Sequence, residues 1–407
     1  MARTVAGLPE GSRVSDYITL GVLAEKIPVA AVHEALRKEG RESERRRLLP
    51  AHVMVYYVMA LALYMNVSYG EVLRCLVEGL QWLGWPVERL RRTGRSGISQ
   101  ARTRLGFEPM KRLYEELVRP IATEKTRGAH YRRWRLLTLD GSTLDVPDEA
   151  RNSEVFGRYR SARGKAGFPK LRFVSLVECG THVLFGAAQG PYHVGETTLA
   201  RNVITRLGPG MMCLADRSFF GYRLWQEASE LGADLLWRMK KDAVLPRDEA
   251  FEDGSYLSTI YPDATRRHQG KQALRVRVIE YTIKGDQEAE PLYRLITTVL
   301  DPKAAPAREL AALYHERWEI ETAFDEFKTH LRGRSVVLRS KTPDLVRQEF
   351  YGLLLAHYAV RRLMHEAALK ADLDPDALSF VHGVRVVRRK IQETYGAFPP
   401  ATNGDAA

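Results

Sequence analysis

Four side chains that can bind phosphate or metal ions recur on one face of a predicted helix in the last third of the chain. They are Tyr314, Arg317, Glu321 and Lys328. At about 100° of rotation per helical residue, the four fall within an arc of roughly 60°. The adjoining arc is apolar and consists of Leu313, Ile320, Ala323, Phe324, Phe327 and Leu331. This pattern predicts a helix that packs on a core and presents the polar row at its margin. The alternative is an exposed helix with an ordinary Arg317–Glu321 pair.

Two aspartates occur where strands are predicted to end. Asp140 follows the apolar run 134–139, and Asp216 follows the apolar run 211–215. Both runs have the length and composition of short buried strands, and turn-forming or helix-starting residues come next. Carboxylates at the ends of neighbouring strands can converge.

Two aspartates and a helical glutamate together offer hard, anionic oxygen ligands. Such ligands favour Mg²⁺ or Mn²⁺ over Zn²⁺. Two ions held by such a trio, about 3.5–4 Å apart, perform phosphoryl transfer. Spacing alone leaves three other acids open as ligands, because Asp145 and Asp148 follow Asp140 closely and Asp325 shares the arc of Glu321.

These motifs resemble those of the DDE transposases of insertion sequences, and within them the IS-four group with its Tyr-x2-Arg-x3-Glu-x6-Lys signature. The signature is present without substitution at Tyr314, Arg317, Glu321 and Lys328. The blocks Leu-Asp-Gly-Ser-Thr at 139–143 and Ala-Asp-Arg-Ser-Phe-Phe at 215–220 look like the blocks around the family's two aspartates. The resemblance extends over roughly residues 14 to 370.

The resemblance implies a function and a set of site residues. Asp140, Asp216 and Glu321 are expected to be the catalytic triad, binding two Mg²⁺ or Mn²⁺ ions. Tyr314, Arg317 and Lys328 are expected to contact DNA phosphates near the cut. The implied enzyme is a cut-and-paste transposase that binds the terminal inverted repeats of its element. A hairpin intermediate and a homodimer on double-stranded DNA are also implied.

The composition agrees with a nucleic-acid partner. The 407 residues include 62 basic and 50 acidic ones, which gives a net charge of +12 and a pI near 9.5. Such a surplus favours a polyanion such as DNA. The three cysteines form no CxxC pair, and no apolar run of about 18 residues is present. We therefore expect a cytoplasmic, nucleoid-associated protein that does not contact a membrane.

The hydrophobic periodicity, together with the resemblance, predicts an α/β fold in five segments. An all-helical DNA-binding domain is expected at 1–128, with helices at 17–40, 49–65, 69–82 and 109–126. A ribonuclease-H-like core follows at 129–240 and resumes at 304–375 with the helix of Glu321. A β-rich insertion interrupts it at 241–303, and 376–407 is a basic segment and tail.

Six further residues are weaker candidates for DNA contacts: Arg102, Arg104, Arg160, Arg163, Lys165 and Tyr293. The first two lie in a short basic helix at 96–104, of the kind found in helix-turn-helix motifs. The next three lie in a glycine-containing basic loop at 158–170. Tyr293 lies in the insertion, where some family members hold a flipped base with an aromatic, most notably tryptophan.

Two other functions remain compatible with the sequence. One is a ribonuclease-H-like nuclease that cuts branched DNA without strand transfer. The other is a catalytically silent, transposase-derived DNA-binding regulator. The presence of all three acids disfavours the silent protein.

Overall fold

The computed structural model describes residues 23–43, 49–82, 94–161, 164–165, 167–240, 243–283, 292–332 and 337–389. Packing divides the chain into two compact units. Unit 1 consists of Met1–Arg119, Asp145–Val155 and Asp325–Ala407. Unit 2 consists of Pro120–Leu144 and Phe156–Phe324. Residues 1–119 of the predicted front domain therefore lie in unit 1, whereas its residues 120–128 lie in unit 2.

The described α-helices, in chain order, are α1 Val29–Lys38, α2 Ala51–Leu63, α3 Tyr69–Trp82, α4 Arg95–Leu105, α5 Glu108–Leu117, α6 Ala150–Phe156, α7 Glu196–Ile204, α8 Tyr222–Glu230, α9 Ala264–His268, α10 Ala307–Leu313, α11 Glu319–Asp325, α12 Pro343–Ala371 and α13 Phe380–Arg389. The described strands are β1 His130–Tyr131, β2 Trp134–Asp145, β3 Arg160–Ser161, β4 Gly164–Lys165, β5 Lys170–Glu178, β6 Val183–Pro191, β7 Met211–Ala215, β8 Asp234–Arg238, β9 Glu249–Ala250, β10 Tyr256–Ile260, β11 Leu274–Tyr281 and β12 Tyr293–Thr297.

Unit 2 is built on one mixed ten-stranded sheet with the order β6-β5-β2-β7-β8-β12-β11-β10-β9, and β1 pairs with β2. The central strands β2, β7 and β8 are parallel to one another. Strand β7 is apolar and buried along most of its length because it has a neighbour on each side and is covered on both faces. This arrangement places the ends of β2 and β7 side by side.

The strands of the insertion continue this same sheet. Strand β12 pairs antiparallel with β8, and β11 and β10 follow by antiparallel pairing. Four of the described strands, β9 to β12, lie within residues 241–303, and backbone hydrogen bonds join them to the central strands.

Strand β2 is longer than predicted. We expected Asp140 to close a strand, whereas β2 runs on to Asp145. The prediction was wrong because Thr143 and Leu144 are good strand formers, and the glycine and serine before them do not interrupt the extended backbone. The parallel ladder with β7 nevertheless ends at the pair Leu139–Ala215.

The described residues of the N-terminal part of unit 1 include helices α1 to α5. Helix α3 has the predicted bounds, but the helix expected at 109–126 ends at Leu117. Pro120 lies three residues further on and lacks the amide hydrogen that a helix interior requires. Among the described helices, none is long and apolar enough to cross a membrane.

Helix α4 carries Arg102 on its buried side, within unit 1. The residue is 3% exposed. Its Nε donates to Gln348 Oε1 at 2.8 Å and its Nη2 donates to Ser340 Oγ at 2.9 Å. The guanidinium is thus used inside the protein, and this burial does not support Arg102 as a DNA contact. Arg104, two residues later, is exposed.

Replacing Arg102 by methionine is expected to lower the free energy of unfolding by roughly 3 kcal/mol, because the buried polar groups of Gln348 and Ser340 lose their partner. Arg104→Met on the same helix should change it by less than about 0.5 kcal/mol. Urea denaturation followed by circular dichroism measures both. Equal stabilities of the two variants would contradict the structural role of Arg102.

Candidate active site

The segment that carries the signature is not one uniform α-helix. Helix α10 gives way to a 3₁₀-helix at Tyr314–Trp318, then to α11, and then to a π-helical turn at Glu326–His330. The predicted 100° per residue therefore does not hold across it. In a 3₁₀-helix residues i and i+3 eclipse, so Tyr314 and Arg317 still lie on one side.

Asp140 and Asp216 are neighbours across the end of the parallel ladder. Each directly follows the last paired residues, Leu139 and Ala215. Asp140 Oδ1 accepts a hydrogen bond from the amide of Gly141 at 2.7 Å. Asp216 Oδ1 accepts from the amide of Ser218 at 2.8 Å and from its hydroxyl at 2.5 Å. Local backbone and side-chain donors thus orient both carboxylates.

Arg317 joins the first aspartate to the glutamate. Its Nη1 lies 3.8 Å from Asp140 Oδ2, and its Nη2 lies 3.5 Å from Glu321 Oε1. The structure therefore brings Asp140, Asp216, Arg317 and Glu321 into one site in unit 2, although 181 residue positions separate Asp140 from Glu321.

The negative charge of this site is only partly neutralised. Burial raises the pKa of Asp140 to about 6; the charges of Asp216 and Glu196 raise it as well, against the lowering effects of the Gly141 amide and Arg317. A carboxyl group whose charged form is disfavoured in this way is typical of a functional site. The arrangement suits a cation bound between the carboxylates.

The helical end of the site is anchored by Glu319, the first residue of α11. Glu319 Oε2 accepts a hydrogen bond from the amide of Gly180 at 2.5 Å. Gly180 has φ +74°, and a Cβ there would lie 2.4 Å from the carbonyl oxygen of Arg127. Only glycine fits this turn, which holds the start of the helix that bears Glu321.

Tyr314 is buried, whereas a side chain that contacts DNA is normally exposed. Its hydroxyl donates to the carbonyl oxygen of Ala215 at 3.3 Å, and burial raises its pKa. The phenol therefore links the 3₁₀-helix to the residue before Asp216. In this structure it positions the site, and its predicted contact with a phosphate stays a prediction.

Tyr314→Phe is expected to lower the free energy of unfolding by about 1 kcal/mol, since one neutral buried hydrogen bond is lost. The affinity for element-end DNA, measured by fluorescence anisotropy, should change by less than about twofold. A tenfold loss of affinity with unchanged stability would instead assign the hydroxyl to a phosphate.

Lys328 and Asp325 belong to unit 1. Lys328 lies in the π-helical turn and is partly buried. Asp325, a rival of Glu321 in the sequence, is 54% exposed, and its Oδ2 lies 2.9 Å from His330 Nε2.

The structure also locates the weaker candidates. Arg160 and Lys165 pair with each other across the small sheet β3–β4, and Arg163 lies outside the described residues. The ring of Tyr293 stacks on Tyr281 with centroids 5.2 Å apart, and Arg238 Cζ lies 4.5 Å from its centroid. Tyr293 is thus packed between protein groups.

One acid near the site was missed by the sequence analysis. Glu196, the first residue of α7, influences the pKa of Asp140. Its sequence signal is only an acid at a predicted helix start, which is common at such positions. Its proximity to Asp140 arises from the return of β6 beside β5 and could not be read from spacing.

These features define a mixed α/β protein with a carboxylate-rich site at the end of two parallel central strands. The family model described as "Transposase DDE domain" matches residues 134–359, and the model "Insertion element 4 transposase N-terminal" matches residues 17–115. The chain belongs to the DDE transposases of the insertion element 4 group. Members of this class act on DNA, and the DDE domain implies the use of a divalent metal ion.

Two individual proteins are similar to this chain. The chain is 29% identical to the transposase InsG for insertion sequence element IS4 of Escherichia coli (strain K12), over 93% of this chain and 84% of that protein. It is also similar to a piggyBac transposase chain from a synaptic complex with hairpin DNA, with a TM-score of 0.47 and 9% identity over 91% of this chain and 79% of that one.

Proposed function

We propose that this enzyme binds the terminal inverted repeats of its own insertion sequence, cleaves the DNA at the element's ends and joins those ends to target DNA. Asp140, Asp216 and Glu321 are the metal-binding catalytic triad. The observation that carries the proposal is the position of Arg317, which lies 3.8 Å from Asp140 and 3.5 Å from Glu321, while the charge of Asp216 acts on Asp140.

The fold supports the same proposal. Three strands in the order β6-β5-β2, two of them antiparallel, continue into the parallel pair β7-β8. This order is that of a ribonuclease-H-like core, in which the first and fourth strands of the core lie side by side. The helix of Glu321 follows the insertion along the chain.

The residues of the site fit Mg²⁺ or Mn²⁺. All three ligands are carboxylates, and no histidine or cysteine replaces one of them. Burial and neighbouring charge raise the pKa of Asp140 to about 6, so a divalent cation offsets an unfavourable concentration of negative charge. Two such cations, when bound, stabilise charge on the attacking and leaving oxygens of phosphoryl transfer.

The protein groups orient the reactants. Ser218 holds one oxygen of Asp216 and leaves its other oxygen for a ligand. Arg317 Nη2 donates a long hydrogen bond to Glu321 Oε1 at 3.5 Å, and its Nη1 lies 3.8 Å from Asp140 Oδ2, so both contacts are loose. With cations bound to the acids, its planar guanidinium would be available for a phosphate of the DNA backbone. Lys328 supplies a second positive charge for the same backbone.

The remaining parts of the proposal concern DNA and assembly. The net charge of +12 favours binding along a duplex. A homodimer bound to the two element ends, cleavage through a hairpin, and action at the nucleoid complete the proposed cycle. Strand transfer separates this function from that of a structure-specific nuclease, and metal-dependent cutting separates it from that of a silent regulator.

The test uses the purified full chain and duplexes carrying the inverted repeats found in the DNA that flanks its gene. Labelled strands are followed on denaturing gels with Mg²⁺, with Mn²⁺ and with EDTA, and joined products are detected with a circular target plasmid. We expect nicks at the repeat boundary, then joining, only with metal. Equal cutting of a duplex with shuffled repeats, or cutting in EDTA, would contradict the proposal.

A further inference from the structure

A fourth carboxylate lies against the backbone next to Asp140. Glu196 begins helix α7, and its side chain covers Gly141. A methyl group placed on Gly141 would lie 2.7 Å from the Glu196 carboxyl carbon and 3.0 Å from Oε1. The absence of a side chain at Gly141 therefore allows Glu196 to approach the strand residue that follows Asp140.

Glu196 lies within electrostatic range of the proposed metal-binding aspartates. Its presence raises the pKa of Asp140, and its own pKa is raised by burial and by the charge of Asp216. These three carboxylates are thus within electrostatic range of one another. Such a set is destabilising in the absence of a cation.

Arg172 lies close to Glu196, but its Nε makes no hydrogen bond with it. Arg172 Nε lies 3.8 Å from Glu196 Oε1. The guanidinium has other contacts, because its Nη1 donates to the carbonyl oxygen of Val194 at 3.0 Å and its Cζ lies 4.6 Å from the ring centroid of Tyr192. The carboxylate of Glu196 is therefore attracted by Arg172 without being fixed by it.

We propose that Glu196 is an additional metal-binding residue of this site, whose carboxylate binds a divalent cation together with Asp140 and Asp216. The inference rests on the proposed function, because it assigns a new ligand to the proposed metal site. The competing explanation is purely structural: Glu196 would stabilise the start of α7 and pair with Arg172.

The experiment measures Mn²⁺ binding to the full chain without DNA, by the loss of the free-ion signal in electron paramagnetic resonance. Glu196→Gln should weaken the binding of at least one ion roughly tenfold or more. Glu227→Gln is the matched control. Glu227 is 33% exposed against 32% for Glu196, and it pairs with Arg201 and Arg223. Its replacement should leave Mn²⁺ binding unchanged.

Thermal unfolding distinguishes a metal ligand from a structural ion pair. Without metal, Glu196→Gln should raise the melting temperature or leave it unchanged, because one repelling charge is removed. With Mn²⁺ it should gain less stability than the wild-type protein gains. A lower melting temperature without metal, combined with unchanged Mn²⁺ binding, would overturn the inference. Glu196→Asp, which keeps the charge, should bind Mn²⁺ better than Glu196→Gln and gives a second variant.

Asp216→Asn in the same assay separates this inference from the proposed function. If Asp216→Asn weakens Mn²⁺ binding and Glu196→Gln does not, the role of Glu196 is wrong and the proposed triad stands. If neither replacement has an effect, the metal site itself is wrong and both proposals fall.

Discussion

Asp216→Asn is expected to reduce cleavage at the element ends by at least about 1000-fold, because a neutral amide cannot replace a carboxylate ligand. The fold should persist, since the amide oxygen can still accept hydrogen bonds from Ser218. Affinity for element-end DNA should stay within about twofold, because the proposed role of Asp216 is in catalysis, whereas basic side chains bind the DNA backbone.

The measurement is a single-turnover cleavage assay with labelled ends, accompanied by a gel-shift titration. Asp325→Asn is the matched control, because this acid shares the signature segment but is exposed and pairs with His330. It should cleave at the wild-type rate. Wild-type cleavage by Asp216→Asn, or loss of cleavage by Asp325→Asn, would defeat the assignment of the triad.

Asp140→Asn is expected to stabilise the metal-free protein by roughly 3 kcal/mol at neutral pH while abolishing cleavage. Burial and the neighbouring charges of Asp216 and Glu196 raise the pKa of Asp140 from an ordinary value of 3.8 to about 6. Each pKa unit corresponds to about 1.4 kcal/mol. The ionised carboxylate therefore destabilises the folded state by roughly 3 kcal/mol. An asparagine carries no charge and still accepts from Gly141.

The pH dependence has a definite sign. Because the folded pKa is raised, the folded protein holds this proton more tightly than the unfolded chain does. Below about pH 4 both states are protonated and the group has no effect. As the pH rises to about 6, the wild-type protein loses stability, and above pH 6 the loss is constant. The advantage of Asp140→Asn should therefore grow between pH 4 and pH 6.

Urea denaturation in EDTA at several pH values measures this advantage. Added Mg²⁺ should reduce the stability difference between Asp140→Asn and the wild-type protein, since the cation stabilises only the protein that has the carboxylate. If Asp140→Asn were less stable than the wild-type protein at pH 7 in EDTA, the electrostatic description of the site would be wrong.

The sequence predicted those features that depend on local patterns. Helix α3 has the predicted bounds of 69–82, and Asp140 and Asp216 do lie side by side at the end of the β2–β7 ladder. Apolar runs bounded by turn residues indicate strands reliably, and an acidic residue after such a run is easily recognised in the sequence. The signature residues were visible because they recur at fixed spacing.

The features that depend on tertiary contacts were not predicted. A uniform helical wheel could not foresee the 3₁₀ and π-helical turns on either side of Glu321, which depend on how the segment packs. The burial of Arg102 depends on Gln348, 246 positions away along the chain. Glu196 contacts Gly141 only because two strands and a turn bring the chain back to β2.

The continuity of the ten-stranded sheet has a mechanical consequence. Strand β12 of the insertion is joined to β8, and β8 is joined to β7, whose last residue precedes Asp216. A displacement of the insertion strands is therefore transmitted to the residue before the second aspartate through two ladders of peptide hydrogen bonds. The insertion and the proposed metal-binding aspartate are thereby coupled within one stiff element.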